Sequence, residues 1–385
     1  MEKRTLIIMG AVFSLTLWVG LNLAWAQLAP GLILHNGNII TMDEKDTRAQ
    51  AVAIRDGKIA AVGSNQAILR LARKGTQRID LKGKTVIPGF YDTHMHLGRL
   101  ATDLKRIQVR DLTTLDELLK RVEEWARTTP KGQWIISASD WHESQVKEGR
   151  LPNRWELDRA APEHPVYIRR GGHNVVVNSL ALKLAGIAKE TPDPAGGRFV
   201  RDEKGELTGW LIGRPAFSLV ERLLPKPSKE EYTSAMKDGM KVLNSVGVTS
   251  IRDAFVTPDD VKIYQELWKR GELTVRANLM PGIDPRGPAE KDFATWGSMG
   301  LSSGFGDDML KIGALKMIAD GGIEAGLMKG EYANQPGYKG IPITPLDKIR
   351  RVASWACQND WQVAVHTVGD AAIEGVLNVY EEINR

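Results

Sequence analysis

Thr85-Val86-Ile87-Pro88-Gly89-Phe90-Tyr91-Asp92-Thr93-His94-Met95-His96 leads a short apolar run into two histidines one residue apart, and the fold of the chain turns on it. Strand side chains alternate with period two, so His94 and His96 project from one face. Two imidazoles side by side on an extended backbone make half of a site for a divalent transition ion, which takes neutral nitrogen ligands at roughly 2.0–2.1 Å. The pair ends an apolar strand and precedes a loop, the position where barrel enzymes carry their chemistry.

Composition frames that strand. The chain has 385 residues, 42% of them hydrophobic, enough for the core of one large domain or two ordinary ones. Its formal net charge of +5 comes from Lys and Arg interspersed with Asp and Glu, and without a basic block nucleic acid is not a partner the sequence points to. Lys3-Arg4 precede an apolar run over 6–21, and Ala24-Trp25-Ala26 supplies a small-x-small cleavage pattern before Gln27. Residues 1–26 read as an export signal, with an uncleaved membrane anchor as the rival. The expectation is a periplasmic or secreted protein with no stable membrane association once the signal is removed. Cys357 is the sole cysteine, so no internal disulfide is expected.

Residues 27–84 carry apolar runs interrupted by Asn36-Gly37 and Asp56-Gly57, dipeptides that suit tight hairpins, and predict a small N-terminal β module. Residues 85–385 read as one larger α/β body. Within it Thr114-x-x-Glu117 opens a helix as a capping box, whereas 99–227 as a whole lacks regular alternation and reads as an α/β insertion after the first strand. From Ser228 onward strand alternates with helix. Strands are predicted over 248–251, 273–280, 310–318 and 361–365, which with 85–91 makes five. Alternation of this kind gives a parallel sheet with crossover helices, and a closed (β/α) barrel needs eight strands. The predicted fold is therefore an incomplete TIM-type barrel, or an open sheet of the same units.

In such a barrel the reactive groups gather at the carboxyl ends of the strands, which here carry His94, His96, Asp253, Lys316 and His366. His366 follows the apolar Val363-Ala364-Val365 and is in phase with the first pair, so it reads as a third ligand. Lys316 has two readings. It is either a lysine in an ordinary ion pair, or a buried amine of lowered pKa that adds carbon dioxide and, as an anionic carbamate, bridges two metals. His173, after Gly171-Gly172, and Asp320 are candidates for substrate contact, with an internally hydrogen-bonded role as the alternative for His173. No phosphate loop, dinucleotide fingerprint, G-x-S-x-G elbow or CxxC pair is present.

At these residues the chain resembles the amidohydrolase superfamily, and within it amidohydrolase family 3, the YtcJ-like branch. The stretches that carry the resemblance are Val86 to His96, Gly172-His173-Asn174 with Asn178-Ser179 and Ala181-Leu182, Gly247-Val248-Thr249-Ser250, Lys316 to Gly321, and His366 with Gly369-Asp370. The resemblance implies a distorted (β/α)8 barrel with a β-sandwich built from both chain ends, a mono- or dinuclear site usually holding zinc, and hydrolysis of amide-type bonds. It assigns His94, His96 and His366 as metal ligands and suggests a carboxylated Lys316 as the bridge. It also implies a further histidine from the sixth strand and a general-base aspartate from the eighth. The chain ends at Arg385 before either, which reads as a C-terminally truncated member whose catalytic base is unknown.

The function expected from this reading is hydrolysis of an amide, N-acyl or formamide C–N bond in a small molecule by a metal-activated water, with one or two zinc-like ions. The alternative is an exported, non-catalytic relic that binds metal or small molecules. The expected partner is the small-molecule substrate, with a homo-oligomer left open.

Overall fold

The computed structural model describes residues 29–172, 174–333 and 335–385, so the export signal expected over 1–26 lies outside the described residues. The chain forms two compact units, divided between Gly89 and Phe90.

In the first unit β1 (Leu32–His35), β2 (Asn38–Ile40), β3 (Arg48–Ala49), β4 (Ala51–Arg55), β5 (Lys58–Gly63), the short helix α1 (Asn65–Leu69), β6 (Gln77–Asp80) and β7 (Thr85–Val86) follow in order. They make two small sheets, one ordered β5-β4-β1-β6 and the other β3-β2-β7. β4 turns into β5 through Asp56 and Gly57, at φ of 50° and 73°, the paired positive values of a two-residue hairpin whose twist matches its strands. Ile33, Ala51, Ala53 and Ile68 form the core of this unit.

The histidine strand begins later than its sequence suggests. Thr85–Val86 pairs with β2 in the small sheet, and the histidine strand is β8 (Phe90–Met95). Pro88 lies between them and has no N–H to give a ladder, so the extended run of 85–91 breaks there.

In the second unit β8 leads directly into α2 (Leu97–Asp103). The segment after it is a folded α/β element: α3 (Leu115–Thr128), β9 (Ile135–Ile136), α4 (Arg154–Ala160), β10 (Val166–Arg170), β11 (Asn174–Val177), α5 (Ser179–Leu184), β12 (Arg198–Arg201), β13 (Leu207–Ile212) and α6 (Arg214–Glu221). Its sheet is ordered β12-β13-β11-β10-β9. Neighbouring residues divide by parity between two apolar clusters. Ile168 and Val176 join Leu118, Val122 and Leu157, whereas Tyr167, Val175 and Val177 join Phe199, Leu211 and Val220. Both faces are covered, which is why no polar–apolar alternation marks these strands in the sequence.

The regular part follows: α7 (Lys229–Ser245), β14 (Val248–Val256), α8 (Pro258–Lys269), β15 (Arg276–Pro281), α9 (Ala289–Gly297), β16 (Leu310–Ile312), β17 (Leu315–Ile318), α10 (Leu346–Gln358), β18 (Val363–His366) and α11 (Asp370–Asn384). Ser228 and Thr257 cap α7 and α8 in reciprocal capping boxes with Glu231 and Asp260. β8, β14 and β15 pair in parallel, β16 continues on β15, a bridge between Gly282 and Lys316 carries the order on to β17, and β17 pairs with β18. Among the described residues this makes five parallel strands side by side in chain order, since β16 and β17 are one strand interrupted at Gly313-Ala314. Position 313 has room only for glycine: a Cβ there would stand 2.0 Å from Asn278 Oδ1 on β15.

Crossover helices cover the outside of these strands. Met236 and Met240 of α7, Tyr264 and Leu267 of α8, Ile349 and Val352 of α10 and Val379 of α11 are buried with Ile251, Leu279, Leu315 and Met317 in one core. Each such aliphatic or aromatic side chain contributes about 1.5–3 kcal/mol by leaving water. The helices thereby fix the strand ends, and the strand ends fix the groups described next.

Candidate active site

β8 delivers His94 and His96 to the carboxyl end of the parallel strands, with ring centroids 5.6 Å apart and planes at 73°. Lys316 sits within β17 and His366 ends β18, in the register Lys316↔Ala364 and Ile318↔His366. All four side chains line one cavity of about 980 Å³. The sequence expectation put these four residues at or near strand ends; in the structure they line one cavity.

His96 Nδ1 lies 2.8 Å from the Ala254 carbonyl. A carbonyl only accepts, so in the neutral ring Nδ1 carries the hydrogen and Nε2 keeps its lone pair, the arrangement that orients metal-binding imidazoles. Loss of water contact is the first cause holding both histidines below their ordinary pKa. For His94 the charges of Lys316 and His366 add to it, whereas for His96 the Ala254 hydrogen bond opposes it. Neutral imidazole, the ligating form, is thereby favoured. His366 Nε2 makes a long contact of 3.4 Å with the Gly321 carbonyl.

Lys316 is 5% exposed, and burial alone lowers its pKa. Among the described residues it has no carboxylate partner, unlike a lysine of an ordinary ion pair; Lys311, earlier in the same run, is exposed. Among the described residues no three His, Cys, Asp or Glu side chains stand close enough to enclose an ion by themselves. What the cavity offers is three imidazoles and an amine, nitrogen donors of the kind a borderline divalent ion takes.

Asp253, at the cavity end of β14, is a positioning residue. Its carboxylate accepts the Leu97 N–H at 3.0 Å and the Tyr264 hydroxyl at 2.7 Å, tying α2 and α8 to the strand. α2 needs this, because its N-cap is His96, which makes no side-chain cap. Burial pushes Asp253 up to about 7, against the pull of its two hydrogen bonds. Beyond Ala254, Phe255 adopts φ 66°, rare for a bulky residue, at an irregularity in the β14–β15 pairing. Its ring lies over Gly282, where a Cβ would be 2.9 Å from the ring carbon.

Asp320 is not the substrate contact expected from its place after β17. It is 0% exposed, and its carboxylate accepts the backbone N–H groups of Leu327 at 2.8 Å, Val368 at 3.0 Å and Gly369 at 2.8 Å. Those bonds hold the loop after His366 against the loop after β17, so the side chain shapes the site from behind. His173 lies outside the described residues. Arg99, Arg214, Phe217, Tyr232 and Trp296 line the cavity without having been singled out in the sequence.

Over residues 77–385 the chain matches the amidohydrolase family. It is 32% identical over 365 residues to a putative amidohydrolase, YtcJ, of Bacillus subtilis (strain 168), covering 91% of this chain and 66% of that protein. It is 31% identical over 371 residues to an N-substituted formamide deformylase of Arthrobacter pascens, covering 92% and 66%. The chain thus spans about two thirds of the length of these curated relatives. Among solved structures, an uncharacterized metal-dependent hydrolase from Pyrococcus horikoshii OT3 superposes with a TM-score of 0.67 at 25% identity, covering 91% of this chain and 68% of the other.

Proposed function

Since this chain belongs to the amidohydrolase family, we propose that it hydrolyses a carbon–nitrogen bond of amide, N-acyl or formamide type in a small molecule with the aid of a divalent metal. The observation that carries this reading is the cavity that His94, His96, Lys316 and His366 line together. The formamide deformylase and the metal-dependent hydrolase among its likenesses support the bond type and the ion respectively. The five ordered strands and the two small sheets support the finer architecture, a distorted (β/α)8 barrel with an N-terminal β-sandwich.

His94, His96 and His366, with Lys316 beside them in the same cavity, would hold the ion, and zinc would suit such a set of nitrogen donors. When bound, such an ion supplies Lewis-acid polarisation of the scissile carbonyl and a hydrolytic water of lowered pKa. The rest is prepared by the chain. Ala254 fixes the His96 tautomer, and Asp253 fixes α2 at the residue after it. Lys316, disfavoured as a cation, attacks carbon dioxide through its neutral amine. A nitrogen–carbon bond would form, one proton would leave to water, and the resulting anionic carbamate would offer oxygen donors to a second ion. Export through residues 1–26 belongs to the same proposal.

The test is amine release from an N-substituted formamide by purified protein with added zinc. Zinc-dependent release that a chelator and His94→Ala both abolish is the expected result. No release from formamide, N-acyl or simple amide substrates with zinc present overturns the reading.

A further inference from the structure

We propose that Arg99 anchors a carboxylate on the substrate, so that the compound held in this cavity is an acidic amide. This deepens the hydrolase reading above and rests on it.

The geometry comes first. Arg99 lies in the first turn of α2, and its guanidinium reaches across to Gly172 in the insertion, where an added Cβ would stand 3.0 Å from a terminal nitrogen. Arg99, Gly172 and Arg214 all line the cavity that holds the histidines. The charge of Arg99 is felt at His96, and an anion on it would share the cavity that holds the histidines.

The charges around it do not balance. Four guanidinium groups, Arg99, Arg106, Arg169 and Arg214, share two carboxylates, Asp103 and Glu221. Asp103 is taken by Arg106 at 2.7 Å and by the Ser139 hydroxyl at 2.7 Å. Glu221 is taken by Arg169 at 3.2 Å and reaches Arg214 only at 4.0 Å. Among the described residues the Arg99 guanidinium makes neither an ion pair nor a hydrogen bond. Burial, followed by the neighbouring Arg169, holds its guanidinium below the usual value, yet arginine stays charged at any working pH.

Nor do the carboxylates across the cavity reach it: Asp253 accepts Tyr264 and Asp260 accepts Tyr232 at 2.8 Å. A partly buried guanidinium fork without a partner is matched by a planar carboxylate, which takes two of its N–H groups at once. A neutral substrate would leave that cation unpaired, and a site built for a charged group rejects the analogue that lacks it.

The test compares binding of N-acetylphenylalanine with its neutral carboxamide by calorimetry, both with zinc and after chelation, so that capture by an ion is told apart from capture by Arg99. The wild-type protein is expected to prefer the acid about ten- to hundredfold, the worth of a charge-assisted contact. In Arg99→Gln the ratio of the two Kd values is expected to collapse toward one, in Arg99→Lys to recover in part, and in the remote, exposed Arg110→Gln to stay at the wild-type value. A wild-type ratio near one, a preference that vanishes on chelation, or a preference that survives in Arg99→Gln overturns the proposal. The hydrolysis assay answers separately. Acid preference without amine release removes the hydrolase reading and leaves the anchor, whereas amine release without acid preference does the reverse.

Discussion

Tyr264 donates its hydroxyl to Asp253 at 2.7 Å, joining a crossover helix to the strand beside the histidines. The carboxyl it meets is 4% exposed and is pushed up to about 7 by burial. A carboxyl whose folded pKa lies above its unfolded one favours folding while protonated. Stability is therefore expected to fall as pH rises from about 4 to about 7, with a slope of up to about 1.4 kcal/mol per pH unit from this group, and to level off above. Urea titrations across that range check it, and Asp253→Asn should flatten the slope. An unchanged slope in that variant would assign the pH dependence to other groups.

Asp320→Ala leaves one buried and two part-buried backbone donors without their acceptor. The expected cost is about 3 kcal/mol or more, since each orphaned group retains its desolvation penalty. Chemical denaturation measures it. A neutral effect would mean that the loops after β17 and β18 are not held by this carboxylate.

Removing either member of the His94–His96 pair should cost more than tenfold in zinc affinity, measured by competition with a chromophoric chelator. Because the two rings sit on an exposed wall and not in the core, both alanine variants should unfold within about 1 kcal/mol of the parent.

Lys316→Met replaces a buried, unpaired amine with an apolar chain of similar length, and stability should hold or rise. Carbon-13 spectra taken in labelled bicarbonate should show a carbamate resonance in the parent and none in this variant. A parent spectrum without that resonance would leave Lys316 as a plain amine.

The parts that were legible in the sequence share a cause. His94, His96 and His366 announce themselves because an apolar strand that ends in histidine is unusual, and the capping boxes at Ser228 and Thr114 are local hydrogen-bond patterns written in adjacent residues. What escaped depended on distance. The strand Asn174–Val177 is buried on both faces and shows no period, although its run of three valines was a usable sign. Asp320 resembled a site residue because an aspartate before two glycines at a strand end is what a site looks like, and its complete burial is a tertiary fact. Arg99 looked like any surface cation, since its excess charge appears only when Arg169 and Arg214 are folded beside it. Pro88 alone moved the start of the histidine strand, and that sign was in plain view.

β8 ends at Met95 and its neighbour β14 begins at Val248. Joining them as the chain folds means closing a very long loop, a step whose entropy cost grows only with the logarithm of length but whose rate suffers from the separation. An intervening segment with two apolar clusters of its own shortens that search, because once collapsed it presents its two ends as a compact knot in place of a slack coil. The half-site on β8 would then mature late during synthesis, waiting on the ribosome for the strand that carries Ala254.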